Sequence, residues 1–101
     1  MQYDLVLSIV NHGFADDVID ASQSVGATGA TILHARGSGR HTETIYGVRI
    51  DPEKDFVLML VERTKCKAVM QAVYEKVGLG SPGSGICFAL PVDDVVGLKT
   101  L

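Results

Sequence analysis

The chain has 101 residues, a net charge of −3 and two cysteines; 47% of its residues are hydrophobic and 21% are charged. This composition excludes an intrinsically disordered chain, and the negative charge excludes a general electrostatic attraction to nucleic acid or acidic membranes. Because no Pro- or Ser-rich linker interrupts the chain, we expect one domain over residues 1–101.

The first element is predicted to be a strand over residues 2–10, where apolar and polar residues alternate. Its apolar face carries Tyr3, Leu5, Leu7 and Ile9. An Asn-His-Gly break at residues 11–13 leads into apolar residues at helical spacing from Phe14 to Val25. Early Asp residues favour the start of a helix there, and Gly26 favours its end.

The middle of the chain is predicted to hold two strands separated by an exposed loop. The second strand runs from about Ala30 to Arg36, and the third from about Asp55 to Glu62. Residues 37–50 are polar, rich in glycine and without periodicity, which predicts a loop with a short strand over Tyr46–Ile50 at its base.

The last third is predicted to contain a helix, a glycine-rich loop and a final strand. Thr64 is the expected N-cap of the helix. An apolar stripe then follows at helical spacing: Cys66, Val69, Met70, Val73 and Val77. Gly78 ends the helix, residues 78–85 form the loop, and Ile86–Leu90 form the strand, which stops at Pro91.

This order predicts an α+β fold: a ferredoxin-like βαββαβ sandwich, with two helices on one face of an antiparallel sheet. The third strand is apolar on both sides: Phe56, Leu58 and Leu60 face one way, and Val57, Met59 and Val61 the other. Because two helices cover only one face, the other face needs a cover, and we expect a second copy of the chain to supply it. The alternative is a monomer whose C-terminal tail folds over that face.

The cysteines and the amino terminus indicate the compartment. Cys66 and Cys87 form no CxxC pair and lie in apolar surroundings, so we expect two reduced, buried thiols. The amino terminus enters a strand pattern directly and no apolar run is long enough to span a membrane, so we expect a cytoplasmic protein.

Two segments resemble the signatures of the nitrogen regulatory protein P-II family. Residues 31–40, TILHARGSGR, are similar to T-x-x-x-x-R-G-x-G-R, and residues 83–96, GSGICFALPVDDVV, resemble G-D-G-K-I-F followed, after two residues, by P-V-x-x-V. The resemblance implies a homotrimeric regulator, not an enzyme, that acts on an enzyme, transporter or regulator of nitrogen metabolism.

The resemblance also implies where ligands and partners bind. A small effector, with adenine nucleotide as the candidate cofactor, would bind in clefts between subunits, contacting Gly37, Gly39, Arg40, Gly83, Ser84, Gly85 and Lys99. The 37–50 loop would contact a protein target through Arg40, His41, Glu43, Tyr46 and Arg49.

Several positions depart from the family pattern. Ile86 stands where the family has a phosphate-binding lysine, and Gly97-Leu98-Lys99 replaces R-I-R, so two of three cations are missing. His41 replaces the glutamine that helps hold magnesium and oxoglutarate in the family. We therefore expect weak ATP binding or a different ligand. Tyr46 does not align with the tyrosine that is modified in the family, so uridylylation is not expected.

No metal site and no catalytic site is predicted. The histidines His12, His34 and His41 show no metal-ligand spacing, and structural roles are favoured for the first two. Two alternatives stay open: slow nucleotide hydrolysis in the same cleft, and a trimer of this fold that handles divalent metals.

Overall fold

A computed structural model of the chain describes residues 2–36, 43–45, 48–50, 53–78 and 80–98, with backbone only for 43–45 and 48–50. A single 3₁₀ turn, Arg63–Lys65, precedes the second helix. The elements in chain order are β1 (Tyr3–Asn11), α1 (Ala15–Ser24), β2 (Thr31–Arg36), β3 (Glu43–Ile45), β4 (Val48–Ile50), β5 (Glu53–Glu62), α2 (Cys66–Val77) and β6 (Ile86–Val92).

The fold is the predicted ferredoxin-like sandwich. Four strands form one sheet in the order β2-β5-β1-β6, and every neighbouring pair is antiparallel. The helices α1 and α2 pack against each other and against the same side of the sheet, where they contact β1, β5 and β6. The remaining two strands, β3 and β4, pair only with each other as a hairpin within the part of the chain that the structure describes.

The hydrophobic core lies between the helices and the sheet. The predicted apolar stripe of α2 is confirmed, since Cys66, Val69, Val73 and Val77 are buried. They pack with Val6, Val10, Val18, Val57, Met59 and Val61 of the sheet and of α1. Fully burying a side chain of this size contributes roughly 1.5–3 kcal/mol, so this layer provides most of the driving force for folding.

The helix-covered side of β1 is not its more apolar side. The buried positions of this strand are Asp4, Val6, Ser8 and Val10. The two polar side chains among them have partners, since Arg63 Nε donates to Asp4 Oδ1 at 3.0 Å and Ser8 Oγ donates to Cys87 Sγ at 3.4 Å. The more apolar alternate face, which begins at Tyr3, therefore points away from the helices.

Three boundaries differ from the sequence predictions. Thr64 does not cap α2: it lies inside the 3₁₀ turn, Lys65 is the residue before the helix, and the Lys65 side chain forms no capping hydrogen bond. The final strand continues through Pro91, because β6 is an edge strand and tolerates a missing N–H on its outer side. In the 37–50 region, the strand predicted over Tyr46–Ile50 is observed as the shorter β4, and β3, which was not predicted, pairs with it.

No helix in the described residues is long and apolar enough to cross a membrane.

Candidate functional site

The sheet side opposite the helices, called the open face below, is lined by large apolar side chains from all four strands. Residues directly paired across antiparallel strands share one face of the sheet. The pairing places Leu5 beside Leu60 and Leu90, Leu7 beside Leu58 and Phe88, and Ile9 beside Phe56 and Ile86, with Leu33 beyond Phe56. The apolar second face predicted for β5 therefore continues across all four strands.

The open face remains partly exposed in the single chain. Leu33, Ile86, Phe88 and Leu90 are between 40 and 51% exposed. The described part of the C-terminal tail does not cover them. It reaches Leu98 and lines, with Gln2 and Arg63, a cavity of about 790 Å³ beside the start of β1. The described tail therefore lies at the Tyr3 end of this face and leaves Leu33, Ile86, Phe88 and Leu90 exposed.

The glycine-rich loop joins α2 to β6 through close backbone contacts. A Cβ on Gly85 would lie 2.7 Å from the Val77 carbonyl oxygen and 2.8 Å from Val10 Cγ1, and a Cβ on Gly83 would lie 2.9 Å from Val77 Cβ. At Gly78, a Cβ would lie 2.5 Å from the Tyr74 carbonyl oxygen. These glycines are required by the closeness of the loop to α2 and β1, whatever else the loop binds.

The loop's backbone N–H groups are partly used within the chain. The Gly85 N–H donates to the Val77 carbonyl at 2.7 Å, and the Ser84 N–H donates to the Ser81 carbonyl at 3.0 Å. Ser84 has a φ of 45° and an exposed side chain. Of the predicted contacts in this loop, the Ser84 hydroxyl is therefore the group best placed for an external ligand, and the Gly85 N–H is not available.

A cluster of two histidines and one aspartate lies where β2 and β5 approach the 37–52 segment. His34 is the direct cross-strand partner of Asp55, and His12 follows the end of β1. Both Nδ1 atoms approach the same carboxylate oxygen, Asp55 Oδ1, at 2.8 Å for His34 and 3.0 Å for His12. The other oxygen accepts a hydrogen bond from the Gly13 N–H at 3.1 Å.

The cluster combines a buried carboxylate with exposed imidazoles. The Asp55 side chain is 3% exposed, whereas those of His12 and His34 are 56% and 74% exposed. Burial opposes ionisation of Asp55, but hydrogen bonds from His12, the Gly13 N–H and His34 outweigh it and lower its pKa to about 2. The hydrogen bond to Asp55 is the main cause of the raised pKa of His12.

Sequence reasoning did not bring these three residues together. Their positions in the sequence show no ligand spacing, because they meet only through strand pairing. One signal was present: Asp55 lies on the same alternating face of β5 as Val57, Met59 and Val61. A carboxylate on the buried side of a strand requires hydrogen-bonding partners, and histidines near the neighbouring strand ends were candidates.

The burial predicted for the two cysteines is confirmed for Cys66 and holds only in part for Cys87. Both are free, Cys66 is buried and Cys87 is half-buried. Burial raises the pKa of both thiols. They are therefore poor nucleophiles at neutral pH.

The sequence model of "Nitrogen regulatory protein P-II" matches residues 3–101, almost the entire chain. The chain belongs to the nitrogen regulatory protein P-II family. Among curated P-II proteins, it is 30% identical over 97 residues to that of Azospirillum brasilense and 32% identical over 92 residues to that of Rhizobium meliloti strain 1021. Each alignment covers 84% of this chain and 81% of the relative. The family is one of signalling and regulatory proteins of nitrogen metabolism.

Solved P-II structures share the fold. The structure of B. subtilis GlnK superposes with a TM-score of 0.76 at 20% identity, and the alignment covers 99% of this chain and 93% of the GlnK chain. The B. subtilis GlnK–ATP complex gives a TM-score of 0.75 at 17% identity, and the alignment covers 98% of this chain and 91% of the GlnK chain. At these identities, the likeness establishes the α+β fold and no more.

The structure describes only some of the predicted P-II contact residues. Gly83, Ser84 and Gly85 lie in the glycine-rich loop, and Glu43 and Arg49 lie on β3 and β4, respectively. The others lie outside the described residues: Gly37, Gly39, Arg40, His41, Tyr46 and Lys99. Their roles stay predictions. Ile86, in place of the family's lysine, opens β6 with a half-exposed apolar side chain on the open face.

Proposed function

We propose that this P-II protein is a homotrimeric regulator that binds a small effector between subunits and controls a protein partner through its 37–50 region. The open face is the observation that carries this proposal. Its apolar side chains extend over all four strands, which is more than a stable monomer normally exposes in one patch. Burying the remaining half of each such side chain against a second subunit would contribute roughly 1 kcal/mol to the free energy of assembly.

The proposed effector is an adenine nucleotide, bound more weakly than in P-II proteins that retain all the family's cations. The presence of ATP in the B. subtilis GlnK complex supports this choice of ligand class. Arg40 and Lys99 are the remaining cations of the pattern, and the Ser84 hydroxyl adds a neutral donor. A triphosphate needs several such groups to replace its water, so a ligand with fewer charges fits this chain better.

The proposed partner surface is the 37–50 region. The residues that flank it, Arg36 and Glu53, are directly paired at the end of the β2–β5 ladder, so both ends of the region are attached to the main sheet. The β3–β4 hairpin gives part of it a defined backbone, with Glu43 opposite Ile50 and Thr44 opposite Arg49. Connecting segments positioned by a rigid sheet commonly carry binding residues.

We propose no catalytic role for the protein and a cytoplasmic location. The nitrogen-metabolism role of the family supports both. The partner would be an enzyme, a transporter or a regulator, and contact with it would not require insertion into a membrane.

A thermal-shift screen tests the effector. The purified protein is heated with ATP, ADP, AMP, cyclic nucleotides, oxoglutarate or bicarbonate, each with and without Mg²⁺. A ligand at about 100 times its dissociation constant should stabilise the native state by about 2.7 kcal/mol. Lys99→Ala and Arg40→Ala should reduce the shift. Lys67→Ala, which removes an exposed cation from α2, is the matched control and should retain it.

Two results would contradict the proposal. A stable monomer in sedimentation would remove the clefts in which the effector is placed. A trimer that shows no shift with any nucleotide would exclude the adenine nucleotide and leave the regulatory role to another ligand. Release of phosphate from ATP or ADP would instead favour the slow-hydrolase alternative.

A further inference from the structure

We propose that His12, His34 and Asp55 form a binding site for a divalent transition-metal ion of the zinc class, built within one chain. The candidate ligand atoms of these residues all lie within 4.8 Å of one another. The site involves neither the open face nor the predicted nucleotide contacts, so it is independent of the function proposed above.

The first argument is convergence. A buried carboxylate needs hydrogen-bond donors, but the Gly13 N–H and one histidine already provide donors to both oxygens of Asp55. The second imidazole converges on an oxygen that already has a partner. Two imidazoles and a carboxylate directed at one point form the mixed nitrogen and oxygen donor set that suits zinc and neighbouring metals better than magnesium or calcium.

The second argument is the distances. Tetrahedral coordination with bonds of about 2.0–2.1 Å places neighbouring ligand atoms about 3.3 Å apart. The two Nδ1–Oδ1 separations, 3.0 and 2.8 Å, are only slightly shorter. Since both imidazoles are more than half exposed, small side-chain rotations would open the cluster to this spacing. Asp55 itself stays fixed by its place in β5 and by the Gly13 N–H.

The third argument is access. The histidines line an open cavity of about 320 Å³ together with Ala35, Arg36, Glu53 and Lys54, so an ion can reach them from solvent. Glu53 offers a second carboxylate beside the cluster. Arg36 and Lys54 oppose a cation, but the Lys54 ammonium is held by Asn11 Oδ1 at 2.6 Å. One or two positions around the ion would be left for water or another ligand.

Binding exchanges protons for the metal. An ionised carboxylate only accepts hydrogen bonds, so each Nδ1 that bonds to Asp55 carries a proton. When the metal–Nδ1 bonds form, these N–H···O hydrogen bonds break: a neutral ring exchanges its Nδ1 proton through solvent for one at Nε2, and a protonated ring releases its Nδ1 proton to solvent and retains the one at Nε2. The site would then connect the end of β2, the end of β1 and the start of β5 at the base of the 37–52 segment.

Calorimetry with Zn²⁺ and visible spectroscopy with Co²⁺ test the site in tag-free protein. We expect one ion per chain and a Co²⁺ d–d absorption without a thiolate charge-transfer band, because neither cysteine is a ligand. His12→Gln and His34→Gln should each weaken Zn²⁺ binding by at least the roughly 10- to 100-fold typical of losing even a supporting residue. His41→Gln, which removes the chain's third histidine, should bind Zn²⁺ as the wild type does.

Each other result would overturn the proposal. Wild-type affinity in the His34→Gln variant would show that the metal binds elsewhere, and a thiolate band would assign it to the cysteines. Stronger binding of Mg²⁺ than of Zn²⁺ would exclude an imidazole site. A flat Zn²⁺ titration of the wild type would leave the cluster as a hydrogen-bonded network only. Circular dichroism of each variant distinguishes loss of a ligand from loss of the fold.

Discussion

Replacing Leu90 by glutamate should dissociate the proposed trimer without unfolding the subunit. Leu90 is 51% exposed in the single chain, so water can reach a carboxylate at this position when the subunit is alone. In the proposed trimer, the same position is covered, along with its row neighbours Leu5 and Leu60. The substitution therefore acts on assembly more than on folding.

The size of the effect follows from burial. Burying a polar group without a partner costs about 1–3 kcal/mol in proteins, and an ionised carboxylate costs more. With about 2 kcal/mol for each of three subunits, assembly loses about 6 kcal/mol, which lowers the association constant roughly 10⁴-fold. The loss of apolar contact by Leu90 adds to this.

Sedimentation velocity over a dilution series measures the effect, and circular dichroism reports whether the subunit is folded. The matched control is Ala68→Glu, which adds the same charge on the exposed surface of α2, on the other side of the sheet. We expect a folded monomer for Leu90→Glu and a trimer for the control. A Leu90→Glu protein that sediments like the wild type would refute the reasoning, because the open face would then not be the assembly surface.

Three further predictions concern stability and reactivity. Gly85→Ala should lower the free energy of unfolding by about 1–3 kcal/mol in urea titrations, because its Cβ would overlap a neighbouring carbonyl oxygen; Gly29→Ala, with open space around it, should be neutral. In metal-free protein, the free energy of unfolding should fall as pH drops from about 4 to about 2, because the pKa of Asp55 is lowered from 3.8 to about 2 in the fold and the stabilisation by its carboxylate is lost on protonation. Asp55→Asn should lose this part of the pH dependence. An unchanged pH dependence in that variant would show that Asp55 is not the group responsible. Cys66 and Cys87 should react slowly with a thiol reagent at pH 8 and quickly in guanidinium chloride, because burial raises the pKa of both; equal rates in both conditions would contradict it.

Much of the fold was predictable because periodicity reports burial directly. The stripe that starts at Cys66 marked α2, and the four strands of the main sheet were placed to within about two residues by alternation and glycine breaks. What alternation does not give is the side of the sheet on which the helices pack. In β1, the helices cover the less apolar side, where the Asp4 and Ser8 side chains are hydrogen-bonded.

The site was less predictable because it depends on pairing between distant residues. The contact of His34 with Asp55 follows from the register of two strands separated by the 37–52 segment. Similarly, glycine at positions 83 and 85 reads in the sequence as a flexible or anion-binding loop. The structure adds a packing requirement: the side chain of Val77 leaves no room for a side chain at position 83, and its carbonyl oxygen leaves none at position 85.

Because Arg36 pairs directly with Glu53, the stability of the main sheet does not depend on the length of the segment between them. Partners in an antiparallel ladder keep their Cα atoms about 5 Å apart, so the two ends of the segment stay at neighbouring points whatever number of residues joins them. Lengthening a loop costs only about 0.6 kcal/mol for each doubling. The length and sequence of the segment, and with them the choice of the proposed protein target, can therefore diverge while the sheet and core that carry it remain unchanged.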